Sequence, residues 1–256
     1  MDKKILSLFA KIGSQLLNSS ILSLMLTTTV LAAYTPPKNP SRPSGPISSN
    51  STRNGVCSDI AEAPLTPLAP MSHFGQTVSQ QPIFAWFVPE TKTYPMEFSL
   101  YEYSANGKGK EIKSIDLSSK PGIMTFSIPK DEFKFSVGKK YIWQIALLCD
   151  TNNPAKDLYV EAVIEVVPMP NYLGNQIAQT TTSIQKSQIY AREGFWYDAF
   201  TEISKPSHNK QFNLSLIKKL GDLETNAAIN SSPQLKKSLQ NQALQLQKIV
   251  KIERQK

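Results

Sequence analysis

The sequence is poor in the residues that carry most site chemistry. It holds two cysteines and two histidines in 256 residues. Two thiols exclude a cysteine-only zinc site and a disulfide-dense small scaffold. Two imidazoles, His73 and His208, leave little for a histidine-based metal cluster. Glycine is sparse, at 11 residues, and no Gly-x-Ser-x-Gly elbow occurs. Gly107-Lys108-Gly109-Lys110 has glycines but lacks the helix that a phosphate-cradling loop requires. No cofactor is implied. What is plentiful is proline, 18 residues, and positive charge, with 28 Lys+Arg against 20 Asp+Glu. The length fits one or two domains.

The N-terminus reads as an address. Lys3, Lys4 and Lys11 precede an uncharged stretch at 21–33, ILSLMLTTTVLAA. A basic region, a short apolar run and small residues at its end are the pattern of a signal peptide over 1–33, cleaved after Ala32 or Ala33. An uncleaved anchor is the alternative, but the run is short of the ~20 apolar residues that span a bilayer. The protein is therefore expected to be exported, periplasmic or extracellular. In an oxidising compartment, Cys57 and Cys149 are expected to form one disulfide. A nucleophilic role for Cys149 is disfavoured, because it ends the strand-like run YIWQIALLC with no histidine beside it.

Four further segments follow. Residues 34–56 carry five prolines among many Ser and Asn, and read as a disordered linker. Residues 57–170 alternate with a period of two. Segments at 65–68, 81–88, 94–103, 111–117, 122–128, 140–149 and 158–167 give about seven strands. The expected fold is mainly β, an antiparallel immunoglobulin- or fibronectin-like sandwich. Gly138 followed by Tyr141 at a strand start resembles the tyrosine corner of such sandwiches. Residues 171–222 have helical spacing and read as a helix pair broken at Gly194, plus a short helix stopped at Gly221. Residues 223–256 form a basic amphipathic helix opened by Ser232-Pro233.

Charge divides with this organisation. Residues 33–170 balance 13 basic against 13 acidic side chains, whereas 171–256 hold 12 basic and six acidic. The excess favours an unknown envelope protein or a polyanionic wall or membrane surface as partner of the last helix. Nucleic acid is disfavoured, since no binding motif is present. Catalytic sets are equally scarce. His73 lies in a loop and His208 in a polar turn, both expected to be exposed. Glu161 and Glu165 fall on the outward face of a strand, and Asp131 and Glu132 in a turn, so neither pair faces across a cleft as glycoside hydrolysis requires. The oxygen-rich Asp150-Thr151-Asn152-Asn153 lacks the glycine and glutamate of a calcium loop and reads as a plain turn. Phe195, Trp196 and Tyr197, beside the helix break, are the candidate partner contacts, with helix-packing core as the competing assignment.

Three blocks together carry a resemblance: PIFAWFVPE with EFSLYE (82–102), GKKYIWQIALLCD with YVEAVIEVV (138–167), and IYAREGFWYDAFTEI (189–203). In order and spacing they resemble the cyanobacterial proteins grouped as domain of unknown function 928, over roughly residues 56–222. The resemblance implies an exported sandwich with a helical C-terminus and no assigned activity. It leaves the helix after Ser232 outside the shared pattern. The expected function is a non-catalytic binding or structural module of the cell envelope. The alternative is a hydrolase of unrecognised type acting on wall or extracellular material.

Overall fold

The period-two segments form strands, and the longest of them pair antiparallel around one aromatic core. The structure is a computed structural model, describing residues 34–43, 57, 63–89, 91–104, 106–150, 152–204 and 210–256. The expected signal peptide and its cleavage site, most of the linker and His208 lie outside the described residues.

Eight strands are present among those residues: β1 (Thr66–Pro67), β2 (Gly75–Thr77), β3 (Phe84–Val88), β4 (Pro95–Ser104), β5 (Gly107–Ser118), β6 (Gly122–Phe126), β7 (Lys140–Leu147) and β8 (Leu158–Val166). They make a three-stranded sheet, β1-β3-β6, and a five-stranded sheet, β2-β8-β7-β4-β5. All pairings are antiparallel except β2 with β8. β2 is the strand missed by the sequence reading, since three residues are too few to show alternation. Aromatic rings fill the space between the sheets. Phe84 of β3 lies 4.9 Å from Phe98 of β4 and 5.4 Å from Trp143 of β7, ring centre to ring centre.

The expectation of a mainly β molecule is overturned. Helix accounts for 37% of the described residues and strand for 27%. The helices are α1 (Asn171–Ala178), α2 (Ser183–Arg192), α3 (Trp196–Ile203), α4 (Lys210–Ile229) and α5 (Pro233–Gln255). They are no appendage, because Ile217 and Leu220 of α4 and Leu246 and Ile249 of α5 belong to the same buried cluster as Phe84 and Trp143. The reason lies in β3, whose five residues FAWFV are all buried. A strand apolar on both faces needs a second layer outside the sheet. α5 supplies it. Gln242 Nε2 donates to the Pro67 carbonyl of β1 at 3.0 Å, and Lys256 Nζ stands 6.0 Å from the Phe87 ring centre. Gly221 does not stop α4, which runs straight through it. Its missing side chain lets α5 approach, as a Cβ there would stand 3.4 Å from the Ala243 carbonyl oxygen and from Leu246 Cβ.

The described part of the expected linker is also ordered. Tyr34 is 1% exposed. Thr35 N–H donates to the Ala191 carbonyl at 3.0 Å, and Phe74 N–H to that of Ser41 at 3.0 Å. Pro37 packs on Gly194, which has φ +90° and no room for a Cβ, since one would meet Pro37 N at 2.9 Å. The segment is ordered despite its composition because one large aromatic, given a socket, offsets the ordering of several polar neighbours.

Candidate functional site

Helix α3 begins at the candidate contact residues, and the structure places all three inside. Phe195, Trp196 and Tyr197 are 5%, 1% and 1% exposed. Their polar ends are used internally. Trp196 Nε1 donates to the Leu68 carbonyl at 2.9 Å. Tyr197 Oη donates to the Val163 carbonyl at 2.9 Å and accepts from Trp143 Nε1 at 2.8 Å. Side chains so enclosed offer no surface to a partner. This corrects the expectation of a contact patch: a helix start beside a sheet edge is a natural place to seat large rings. They anchor α3 to both sheets.

Two buried carboxylates continue that anchoring. Asp198 of α3 accepts from Val78 N–H at 3.0 Å. Burial pushes its carboxyl up to about 7, against hydrogen bonds from Val78, Thr77 and Ser79 that favour the charged form. Glu224 of α4 accepts from Met71 N–H at 2.9 Å and Ser72 N–H at 3.1 Å. Burial raises it to about 7 as well, with the same opposition from its donors. Helices α3 and α4 thus grip the chain on either side of β2.

His73 is 2% exposed, which corrects the expectation of a solvated loop histidine. Its Nε2 lies 2.7 Å from Tyr34 Oη, and its Nδ1 lies 2.9 Å from Ser72 Oγ. Ser72 Oγ in turn donates to Glu224 at 3.2 Å. Burial lowers the imidazole to about 4 and drives the Tyr34 hydroxyl well above its ordinary value. The serine stands between imidazole and carboxylate, and Tyr34 occupies the other ring nitrogen. In a Ser-His-acid triad the imidazole stands between the other two. The arrangement seats the N-terminal segment; it presents no open nucleophile. Sequence reading missed Glu224, although its place in the stripe Ile217, Leu220, Gly221, Glu224, Ala228 marks it as a carboxylate on a buried helix face.

The remaining candidates lie at the surface. Cys57 and Cys149 are joined, with Cα atoms 5.3 Å apart, as expected. Glu161 and Glu165 point outward from β8 and pair with Lys108 and Lys140. Asp150 accepts from Asn152 N–H at 3.0 Å and from Lys156 Nζ at 2.8 Å, a closed turn. Among the described residues no group of three or more His, Cys, Asp or Glu is placed to hold a metal ion, and no described helix is long and apolar enough to cross a membrane.

The last helix divides into a buried apolar side and an exposed cationic side, on which Leu244 is also exposed. Its apolar side, Leu239, Ala243, Leu246, Ile249 and Val250, is buried. Lys236, Lys237, Lys248, Lys251 and Arg254 are exposed on the other. Its one carboxylate, Glu253, is buried and paired with Lys256 at 2.7 Å. The apolar stripe is therefore spent within the chain and free neither for self-association nor for insertion between lipid tails.

Residues 48–249 match the family described as Domain of Unknown Function (DUF928). The match takes in most of α5, which the sequence resemblance left outside the shared pattern. No curated protein and no solved structure matches.

Proposed function

Since the chain belongs to the DUF928 family over residues 48–249, a membership that assigns no activity, we propose from its surfaces that it is an exported, non-catalytic binding module that docks on a polyanionic envelope surface through α5. The observation that carries this reading is the charge of the exposed α5 face: five cations and no exposed carboxylate. With the apolar stripe buried, the contact is electrostatic and lies flat on its target. The disulfide supports export, as such bonds persist in oxidising compartments.

The strand order supports an immunoglobulin-like sandwich as the scaffold. β1, β3 and β6 occupy the places of strands A, B and E, and β8, β7, β4 and β5 those of G, F, C and C′. Ser136 N–H donates to Tyr141 Oη at 3.2 Å, five residues ahead of a strand-F tyrosine. That contact has the form of the tyrosine corner.

The test is retention of the full chain on immobilised dextran sulfate, eluted with salt. The wild type is expected to elute well above the salt needed for K236E/K248E/K251E, with unchanged thermal melting. Equal elution of the two overturns the docking face. Export is checked separately, by fractionation and by thiol labelling with and without reductant. Free thiols on Cys57 and Cys149 in the native cell fraction overturn it.

A further inference from the structure

Exposed apolar side chains that gather at one place, with unpaired charge beside them, are the main feature of the surface still unexplained. Val137 and Met169 are 48% and 40% exposed, among the few large apolar side chains that are. Both line a single cleft of about 1040 Å³, together with Val78, Lys130, Asp131 and Lys134. The cleft lies where the 129–139 loop faces the segment after β2. Its walls are held by the protein itself. Gln81 Nε2 donates to the Phe133 carbonyl at 2.7 Å, Phe135 N–H to that of Gln80 at 3.2 Å, and Gly138 N–H to that of Val166 at 2.7 Å. Lys113 is neutralised by Glu132 and Lys140 by Glu165, while Lys139, at the end of the same loop, makes no ion pair among the described residues. Lys130 and Lys134 make no ion pair among the described residues.

We propose that this cleft binds a single anionic amphiphile, its acidic head held by Lys130 and Lys134 and its alkyl chain laid along Val78, Val137 and Met169. Concavity favours a molecule that enters over a flat bilayer, and the paired chemistry of the lining asks for a ligand with one charged end and one apolar end. A free anion would leave the apolar side chains wet, and a neutral chain would leave the lysines unmatched. Asp131 opposes the head group, which makes its removal informative. The inference does not rest on the polyanion reading of α5, as the two surfaces share no residue.

The experiment is titration calorimetry of the full chain with dodecyl phosphate below its micelle concentration. Inorganic phosphate and dodecyl maltoside, titrated in parallel, separate head from tail. Saturable binding of dodecyl phosphate alone is expected. K130Q/K134Q is expected to weaken it about 25-fold, at about five-fold per lysine, and M169S about ten-fold. D131N is expected to tighten it by about five-fold. K236E/K248E/K251E is expected to leave it unchanged. All these positions lie at the surface, and unchanged melting of each variant checks that the fold is kept. Equal binding of dodecyl maltoside, equal binding of inorganic phosphate, no saturable binding, or indifference to K130Q/K134Q each overturns the proposal.

Discussion

The three-stranded sheet is closed on its outer side by α5, whereas among the described residues no helix covers the outer side of the five-stranded sheet, and the two faces meet that difference with opposite residues. On β3, Ala85 and Phe87 turn outward and are buried beneath the helix. On the larger sheet the outward positions of β4, β7 and β8 carry Glu97, Gln144, Glu161 and Glu165. These are tied into a lattice of their own. Lys108 bonds Gln144 and Glu161 and lies 4.6 Å from the Tyr101 ring centre. Gln76 Nε2 donates to Glu165 at 2.9 Å. Beneath the lattice, Phe74, Ile142 and Val163 form a small apolar cluster capped by Tyr101 and Tyr103. One sheet is stabilised by a borrowed layer and the other by its own long side chains. The borrowed layer should matter far more, since apolar burial outweighs exposed ion pairs.

Breaking the borrowed layer tests this most severely. A chain ending at residue 231 loses α5, and with it the buried Leu239, Leu246, Ile249 and Val250. At about 1.5–3 kcal/mol for each large side chain, against a total stability of about 5–15 kcal/mol, the truncated protein is expected to lack a cooperative thermal transition. A cooperative melt of that fragment would show that the small sheet does not depend on the helix. Docking through α5 is for the same reason better probed by charge reversal than by deletion.

The next effect is at Tyr34. Y34A empties a socket between Trp196 and His73, and is expected to cost about 3–5 kcal/mol in denaturant unfolding. Y34F removes only the hydroxyl bond to His73 and is expected to cost about 1 kcal/mol. Equal, negligible losses for both would mean that the segment before the sandwich is not part of the folded unit.

The pH dependence of stability separates the clamps around β2 from the rest. Asp198 and Glu224 have folded values near 7, above the ordinary carboxylate range near 4. Their contribution is fully present below about pH 4 and is lost as pH rises to 7. His73 works the other way. Its value is lowered to about 4, so its contribution is complete above about pH 6.5 and is lost as pH falls through 4. Two carboxylates oppose one imidazole, and wild-type stability is expected to fall between pH 4.5 and 7, by at most about 1.4 kcal/mol per pH unit for the net one proton. D198N is expected to flatten that slope in urea titrations. A slope that D198N leaves unchanged would remove Asp198 from the account. The smallest effect belongs to the exposed lattice, where K108A is expected to cost under about 1 kcal/mol.

Much of this comparison was legible in the sequence. FAWFV is a continuous apolar run, the mark of a strand covered on both faces, while LYVEAVIEV alternates and announces one wet face. The cysteine pair was readable from an even count of two together with the expectation of export. What covers β3 was not, because amphipathic spacing in α5 shows that a stripe is buried without showing against what. β2 was too short to register, and its partners Asp198 and Glu224 act across 120 to 153 residues of chain. Tyr34 was hidden by its neighbours, since a composition window averages one apolar anchor with prolines and polar residues. Phe195, Trp196 and Tyr197 were ambiguous for a plain reason: large rings serve core and interface equally well, and only the surrounding packing decides.

The bond between Cys57 and Cys149 has a mechanical consequence. Seven of the eight strands, β1 to β7, lie within the loop it closes. A pull applied at the N-terminus, as by a tether to a membrane or a wall, first loads the socket of Tyr34 and then arrives at Cys57. From there the covalent bond carries tension directly to the end of β7 and bypasses the strands between. Extension beyond that point must come from β8 and the helices, so the bulk of the sandwich, β1 to β7, is shielded from force.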